Sequence, residues 1–136
     1  MATLKLEIVT PEAKVFSDDV DYVLIPGAEG ELGIYPEHTP LLTQLAAGEL
    51  IATKGGVEQR LAIGEGFVEI TQTSVSVLTD MAVNEADIDE AAVQEAIRRA
   101  QESIRNEKLH DEELATVQAM LNKSFVQLKV KHRRGS

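Results

Sequence analysis

Glu29 and Glu31, two positions apart, would suit general acid–base work in a pocket, because residues i and i+2 of an extended segment project to the same side, whereas His38, between Pro36 and Pro40, reads as structural or interfacial. Such a pair acts as acid and base only in a pocket that keeps water out. Tyr35 is the one aromatic residue nearby, so these carboxylates read as a solvated acidic rim. Around them Gly27, Gly30 and Gly33 stand three residues apart, and clustered backbone N–H groups can cradle an anion. A phosphate loop, however, needs a lysine and an opening helix. This segment instead offers Glu29, Glu31 and Glu37 and runs into Pro36, so a phosphate would meet three negative charges. The glycines are better explained by tight turns or by close approach to another backbone. His38, His110 and His132 are far apart and fall in no metal-ligand spacing, and no serine stands in a nucleophile elbow. Cysteine is absent, which excludes thiol nucleophiles, disulfides and zinc-thiolate sites. The residues therefore point to a chain that is not an enzyme, with no metal and no resident cofactor.

The 136 residues suffice for one ordinary domain or two small ones. With three Phe, two Tyr and no Trp, the core must come from Val, Ile, Leu and Ala, which suits a sandwich and a close-packed helix pair but not an aromatic-lined pocket. No apolar run approaches the ~18 to 20 residues that span a bilayer, and the first residues lack the pattern of a signal peptide, so the chain reads as soluble and not exported. The net charge of −10 is uneven. Residues 1–86 hold four basic residues (Lys5, Lys14, Lys54, Arg60) against 14 acids, whereas residues 87–136 hold nine of each. An acidic front repels nucleic acid, which is not an expected partner. In the rear, Lys123, Lys129, Lys131, Arg133 and Arg134 form a tail without an acid, either as cations placed at a helix C-terminus or as a docking element.

Short alternating segments predict strands over 4–9, 20–25, 31–34, 49–53, 58–63, 67–71 and 75–78. Lys54-Gly55-Gly56, Gly64-Glu65-Gly66 and Gln72-Thr73 supply turns between them, and the stretch 25–42 reads as a dedicated loop. The period changes after Asn84. Ile88, Ala92, Val93, Ala96, Ile97, Ala100 and Ile104 recur at helical spacing, with Asp87 as N-cap or first-turn acid. After a break at 106–111, Leu114, Val117, Leu121, Phe125 and Leu128 form a second stripe. The fold class is α+β: an N-terminal antiparallel β-sandwich over 1–84, and a two-helix antiparallel hairpin over 85–136. Mostly Ala at the facing positions of the first helix implies a thin seam, at ~0.8 kcal/mol per buried methylene. The hairpin is then either a switchable element or one packed permanently on the sandwich.

The Gly27, Gly30, Gly33, Ile34 run followed by His38 and Pro40, between strands and ahead of two helices, resembles the epsilon subunit of the rotary ATP synthase, called delta in mitochondria. The resemblance covers about residues 4–130. It implies a non-catalytic central-stalk subunit whose sandwich links the gamma subunit to the membrane c-ring, coupling proton flow to ATP synthesis. By that resemblance Glu29, Gly30, Glu31 and Gly33 contact the c-ring, and Tyr35, His38 and Pro40 contact gamma. The helices regulate ATP hydrolysis, and when extended the tail of Lys123, Lys129, Lys131, Arg133 and Arg134 meets the catalytic beta and alpha subunits. The chain would sit peripherally on the cytoplasmic face of the bacterial inner membrane. Some members bind ATP through an Ile/Leu-Asp-x-x-Arg-Ala motif. The aligned residues here run Ile88-Asp89-Glu90-Ala91-Ala92-Val93, so Ala92 replaces the arginine and ATP binding is expected to be weak or absent. Two other readings stand beside this one: a free-standing sandwich module that self-associates through its helices, and an enzyme acting on a cationic small molecule at the acidic loop.

Overall fold

The computed structural model describes residues 2–106 and 108–135, the side chains of 133–135 excepted. Ten strands come first: β1 Leu4–Val9, β2 Lys14–Val20, β3 Tyr22–Gly27, β4 Gly30–Ile34, β5 Leu41–Leu45, β6 Gly48–Lys54, β7 Val57–Ile63, β8 Gly66–Ile70, β9 Ser74–Thr79 and β10 Ala82–Asn84. A 3-10 turn, Glu85–Asp87, leads to α1 Glu90–Asn106 and α2 Asp111–Gly135. The strands run in the order β10-β7-β6-β3-β5-β8-β9-β1-β2, with β4 alongside β3. All pairings are antiparallel except β1 with β9. Along one edge β3 pairs with β4; along the other it passes from β6, at Tyr22–Leu24, to β5, at Gly27. That switch of partner folds the strands into two layers around one core, a β-sandwich.

Alternation makes this core. Leu4, Leu6 and Ile8 point inward from β1, Val23 and Ile25 from β3, Val68 and Ile70 from β8, and Val75 and Val77 from β9, all essentially inaccessible to water. The expected strands are present with small boundary differences, and three more appear. The edge strand β2 carries Ser17, Asp18 and Asp19 and is mostly exposed, so it has too little apolar alternation to be visible in sequence. β5 and the short β10 give no clear signal either; the first begins at Leu41, at the end of the stretch that reads as a loop.

The helices lie on the sandwich. A second, smaller core joins Ala62 of β7 to Ile88, Val93, Ile97 and Val130, with Met81, Val83, Leu121, Val126 and Leu128 partly buried around it. The buried stripe of α1 is narrower than expected. Val93 and Ile97 are buried, whereas Ala92 and Ala96 face water. Ile88 precedes the helix and cannot set its phase, and the larger β-branched side chains remove more apolar area from water than alanine methyls. The cap also moves. Asp87 closes the 3-10 turn, while Asp89 caps α1, its Oδ1 accepting from the Ala92 amide at 3.1 Å.

Candidate functional site

The stretch that reads as a loop is a β-hairpin with an irregular return. Ile25 and Ile34 are buried and set the pairing of β3 with β4, which carries Ala28 and Glu29 out on the turn and leaves Glu31 exposed opposite Pro26. The three glycines serve three different needs. Gly30 has φ +133°, open to glycine and strained for other residues. A Cβ on Gly27 would meet the Gly30 carbonyl at 2.6 Å, and one on Gly33 would meet the Tyr22 hydroxyl at 2.4 Å. Tyr22 in turn packs on Tyr35, ring centroids 4.4 Å apart and planes tilted by 36°. Gly33 thus lies under the aromatic pair, at the opposite end of the hairpin from Glu29.

Beyond β4 the backbone turns sharply. Glu37 holds φ +70°, uncommon for a non-glycine residue. Its amide donates to the Gln72 carbonyl at 2.7 Å, tying the turn to the β8–β9 connection. The His38 amide donates to the Tyr35 carbonyl, and His38 Nδ1 donates to the Thr39 carbonyl at 2.7 Å, which fixes the ring and its tautomer. Tyr35, 65% exposed, and His38 therefore sit on a braced ledge with Pro40 close by. The hairpin separates this ledge from the Glu29–Glu31 tip, so the candidate residues form two groups at opposite ends of the hairpin.

A third feature escaped the sequence reading. Phe67 and Leu78, 51% and 56% exposed, face each other across β8 and β9, and Leu42 on neighbouring β5 is 69% exposed. Beside them Val9, Thr10, Pro11, Gly66 and Thr79 line an open, largely apolar cleft of about 460 Å³ whose rim carries Glu65 and Asp80. The signal was present in the pairs Leu41-Leu42, Phe67-Val68 and Val77-Leu78. Adjacent apolar residues on a strand must send one side chain outward.

The basic tail is partly engaged by the sandwich. Lys123 pairs with Asp80 at 3.0 Å, Gln127 Nε2 donates to the Met81 sulfur at 3.3 Å, and Lys131 Nζ donates to the Glu85 carbonyl at 3.4 Å. Their four-residue spacing places them on one side of α2. His132 bonds to Glu90 at the start of α1. Lys129 is exposed and borders a groove of about 270 Å³ shared with Glu31 and Val126. The side chains of Arg133 and Arg134 lie outside the described residues.

On α1, Arg98 binds Glu95 at 2.6 Å and Glu102 at 2.7 Å, and Arg99 binds Glu95 at 3.1 Å. Hydrogen bonding from Arg98 is the main reason the Glu95 carboxyl is held down at about 2, with Arg99 adding to it. Lys54 lowers the pKa of Asp18 by hydrogen bonding, helped by the Asp19 amide, and Lys5 and Lys14 do the same for Glu7. These displaced carboxylates belong to surface ion pairs away from the hairpin tip. Among the described residues no group of three or more His, Cys, Asp or Glu is placed to hold a metal ion, and no helix is long and apolar enough to cross a membrane.

This arrangement of a ten-stranded sandwich carrying a docked helical hairpin is matched by known proteins. Residues 3–85 match the model of the ATP synthase delta/epsilon chain β-sandwich domain. The ATP synthase epsilon chain of Dehalococcoides mccartyi is 44% identical over 134 residues, covering 98% of this chain and 96% of the relative. The chain belongs to the ATP synthase epsilon family. The epsilon chain of Halorhodospira halophila is 41% identical over 131 residues, with 95% of this chain and 92% of the relative covered. Similar folds occur in solved ATP synthases. A chain of the mitochondrial assembly of Euglena gracilis, a structure that includes its c-ring, superposes with a TM-score of 0.76 at 22% identity, covering 95% of this chain and 81% of that one. A chain of the central stalk and c-ring structure of Tetrahymena thermophila gives 0.60 at 12% identity, with 94% and 96% covered. The epsilon family likeness thus extends through both helices, beyond the sandwich alone.

Proposed function

We propose that this chain is a non-catalytic rotor subunit of a proton-translocating ATP synthase, peripheral to the membrane on its cytoplasmic face. In this reading the sandwich binds the gamma subunit and rests on the c-ring, and the helices restrain ATP hydrolysis. The observation that carries it is the surface of the sandwich, which presents an exposed apolar face of Leu42, Phe67 and Leu78 together with an acidic hairpin tip at Glu29 and Glu31. An apolar face of this kind in a monomeric domain marks a partner site. The epsilon family identity makes gamma the natural partner, with Tyr35, His38 and Pro40 on the ledge beside it. Glu29 and Glu31, with Gly30 allowing the turn and Gly33 seating Tyr22, would meet polar loops of the ring. Exposed pairs contribute only ~0 to 1 kcal/mol each, so several must act together.

For the helices two arrangements are proposed: the docked one described above, and an extended one in which Lys123, Lys129, Lys131, Arg133 and Arg134 reach acidic segments of the catalytic subunits. In this reading the chain divides into a sandwich over 1–84 and a regulatory hairpin over 85–136, joined by the small core that Ala62, Met81 and Val83 share with the helices. ATP is not expected to stabilise the docked form, since Ala92 stands at the motif arginine and Arg98 and Arg99 are paired with Glu95 and Glu102.

The test is ATP hydrolysis by a reconstituted catalytic head with gamma, comparing the full chain with a truncation ending at Asn84, once both co-elute with the complex. Faster hydrolysis with the truncation is the expected outcome and assigns inhibition to the helices. Equal rates with both bound would leave a coupling rotor without an inhibitory arm. Failure of both to bind gamma would return the sandwich to a free-standing module.

A further inference from the structure

Asp80 is shared by two features at the same end of the sandwich. On one side it borders the apolar cleft with Leu78, Thr79 and Glu65. On the other, Asp80 and Glu65 border a smaller space of about 100 Å³ closed by Ala47, Ala119, Asn122 and Lys123, where Asp80 pairs with Lys123 at 3.0 Å. We propose that the cleft is the seat of a partner segment bearing an apolar side chain next to a cation, and that this cation competes with Lys123 for Asp80, so that filling the cleft loosens α2 from the sandwich.

Three observations support this assignment. The cleft is lined by Val9, Pro11, Gly66 and Leu78 and carries acids, Glu65 and Asp80, but no Lys or Arg, so its complement is apolar and basic. Lys123 of the chain itself already holds Asp80 Oδ2 from the far side, and a second cation on the same carboxylate would repel Lys123 and weaken that pair. Finally, α2 is held by a thin attachment. Val130 is the α2 side chain in the small core that is fully buried, and the polar ladder of Lys123, Gln127 and Lys131 runs along Asp80, Met81 and the Glu85 carbonyl. Asp80 holds the first rung, one turn before Gln127. Losing it opens the ladder from its end.

The energetic consequence is a coupling between two sites through one residue, and such coupling is reciprocal: a cleft occupant weakens α2 docking by the factor that α2 docking weakens the occupant. That the occupant belongs to gamma rests on the function proposed above. The competition at Asp80 does not.

Amide hydrogen exchange of residues 121–130 in the full chain tests it. Asp80→Asn and Lys123→Gln are each expected to speed exchange there about two- to five-fold, the scale of one part-exposed ion pair, with the strands unaffected. The charge swap of Asp80→Lys with Lys123→Asp should restore protection. Leu78 and Asp80 lie on the same side of the strand end, two residues apart. Leu78→Arg therefore supplies the competing cation in cis, and it should speed exchange as Asp80→Asn does, whereas Leu78→Gln should not. Unchanged exchange in the single variants, or equal effects of Leu78→Arg and Leu78→Gln, would overturn the proposal. Adding gamma to the unmodified chain should produce the same loosening. Gamma bound with α2 still fully protected would overturn the coupling to that partner. Gamma failing to bind would count against the proposed function alone and leave the Leu78→Arg comparison to decide.

Discussion

A glycine can be required for reasons that predict different costs, and the side chain or backbone it faces decides which applies. At Gly66 an added Cβ would lie 1.9 Å from the Leu78 carbonyl oxygen, part of the β8–β9 ladder that cannot move without breaking pairing. Gly66→Ala is expected to destabilise the sandwich by about 3 kcal/mol in urea unfolding, the upper end of ordinary overpacking. At Gly33 the obstruction is the Tyr22 hydroxyl, the far end of a side chain. Gly33→Ala should therefore cost about 1 to 2 kcal/mol, and Tyr22→Phe in the same chain should recover part of it. Equal costs at the two sites, or no recovery, would mean that the Tyr22 ring is as immobile as the backbone. The glycine triplet was conspicuous in the sequence, but its causes were not. A one-dimensional spacing cannot distinguish a positive φ at Gly30 from close approaches at Gly27 and Gly33. The same limit hid Asp80 and Lys123, which are distant along the chain and meet only because α2 folds back over β6 and β7.

Elements were legible where one face is buried and the other wet. β1 shows Leu4, Leu6 and Ile8 in strict alternation and was read with its ends correct. β2 was missed because an edge strand with one buried residue, Val20, has no periodic signal. α1 was legible as a helix, and Val93 and Ile97 of its expected stripe are buried, but Ala92 and Ala96, which flank them in the pattern, face water. Its outer face is held instead by charge, which gives a pH dependence of known sign. Glu95 has its pKa lowered in the folded chain to about 2, from an ordinary value of 4.5, chiefly by the Arg98 hydrogen bond. A group with a depressed folded pKa adds stability that is fully present above its unfolded pKa and is lost as pH falls through its folded pKa. The difference in α1 protection between the unmodified chain and Glu95→Gln, followed by hydrogen exchange, should thus be largest above pH 4.5 and shrink toward pH 2. Because the network is exposed, added salt should reduce the difference as well. A difference that persists unchanged across that window would assign the effect of Glu95 to helix propensity.

At the scale of the whole molecule, two cores of unequal size meet at Ala62. The larger runs through β1, β3, β6, β7, β8 and β9 and depends on no helical residue; the smaller is built across the junction by Ile88, Val93, Ile97 and Val130. Stability should therefore be non-uniform, with the hairpin opening before the sandwich. Val130 is 1% exposed, and replacing it with alanine removes two methyl-sized groups, an estimated loss of about 1.6 kcal/mol at ~0.8 per group. In Val130→Ala, exchange of residues 121–130 should rise by roughly an order of magnitude, since ~1.4 kcal/mol corresponds to tenfold, while β8 and β9 keep their protection. Val68→Ala, in the larger core, should instead lower protection of strands and helices together, because the helices have no other surface to rest on. If Val130→Ala weakened the sandwich equally, the two cores would be one cooperative unit and the hairpin could not leave without unfolding its support. Separate responses would give the molecule the property a regulatory arm requires: a docked state only slightly more stable than the undocked one, on a platform that does not change when the arm departs.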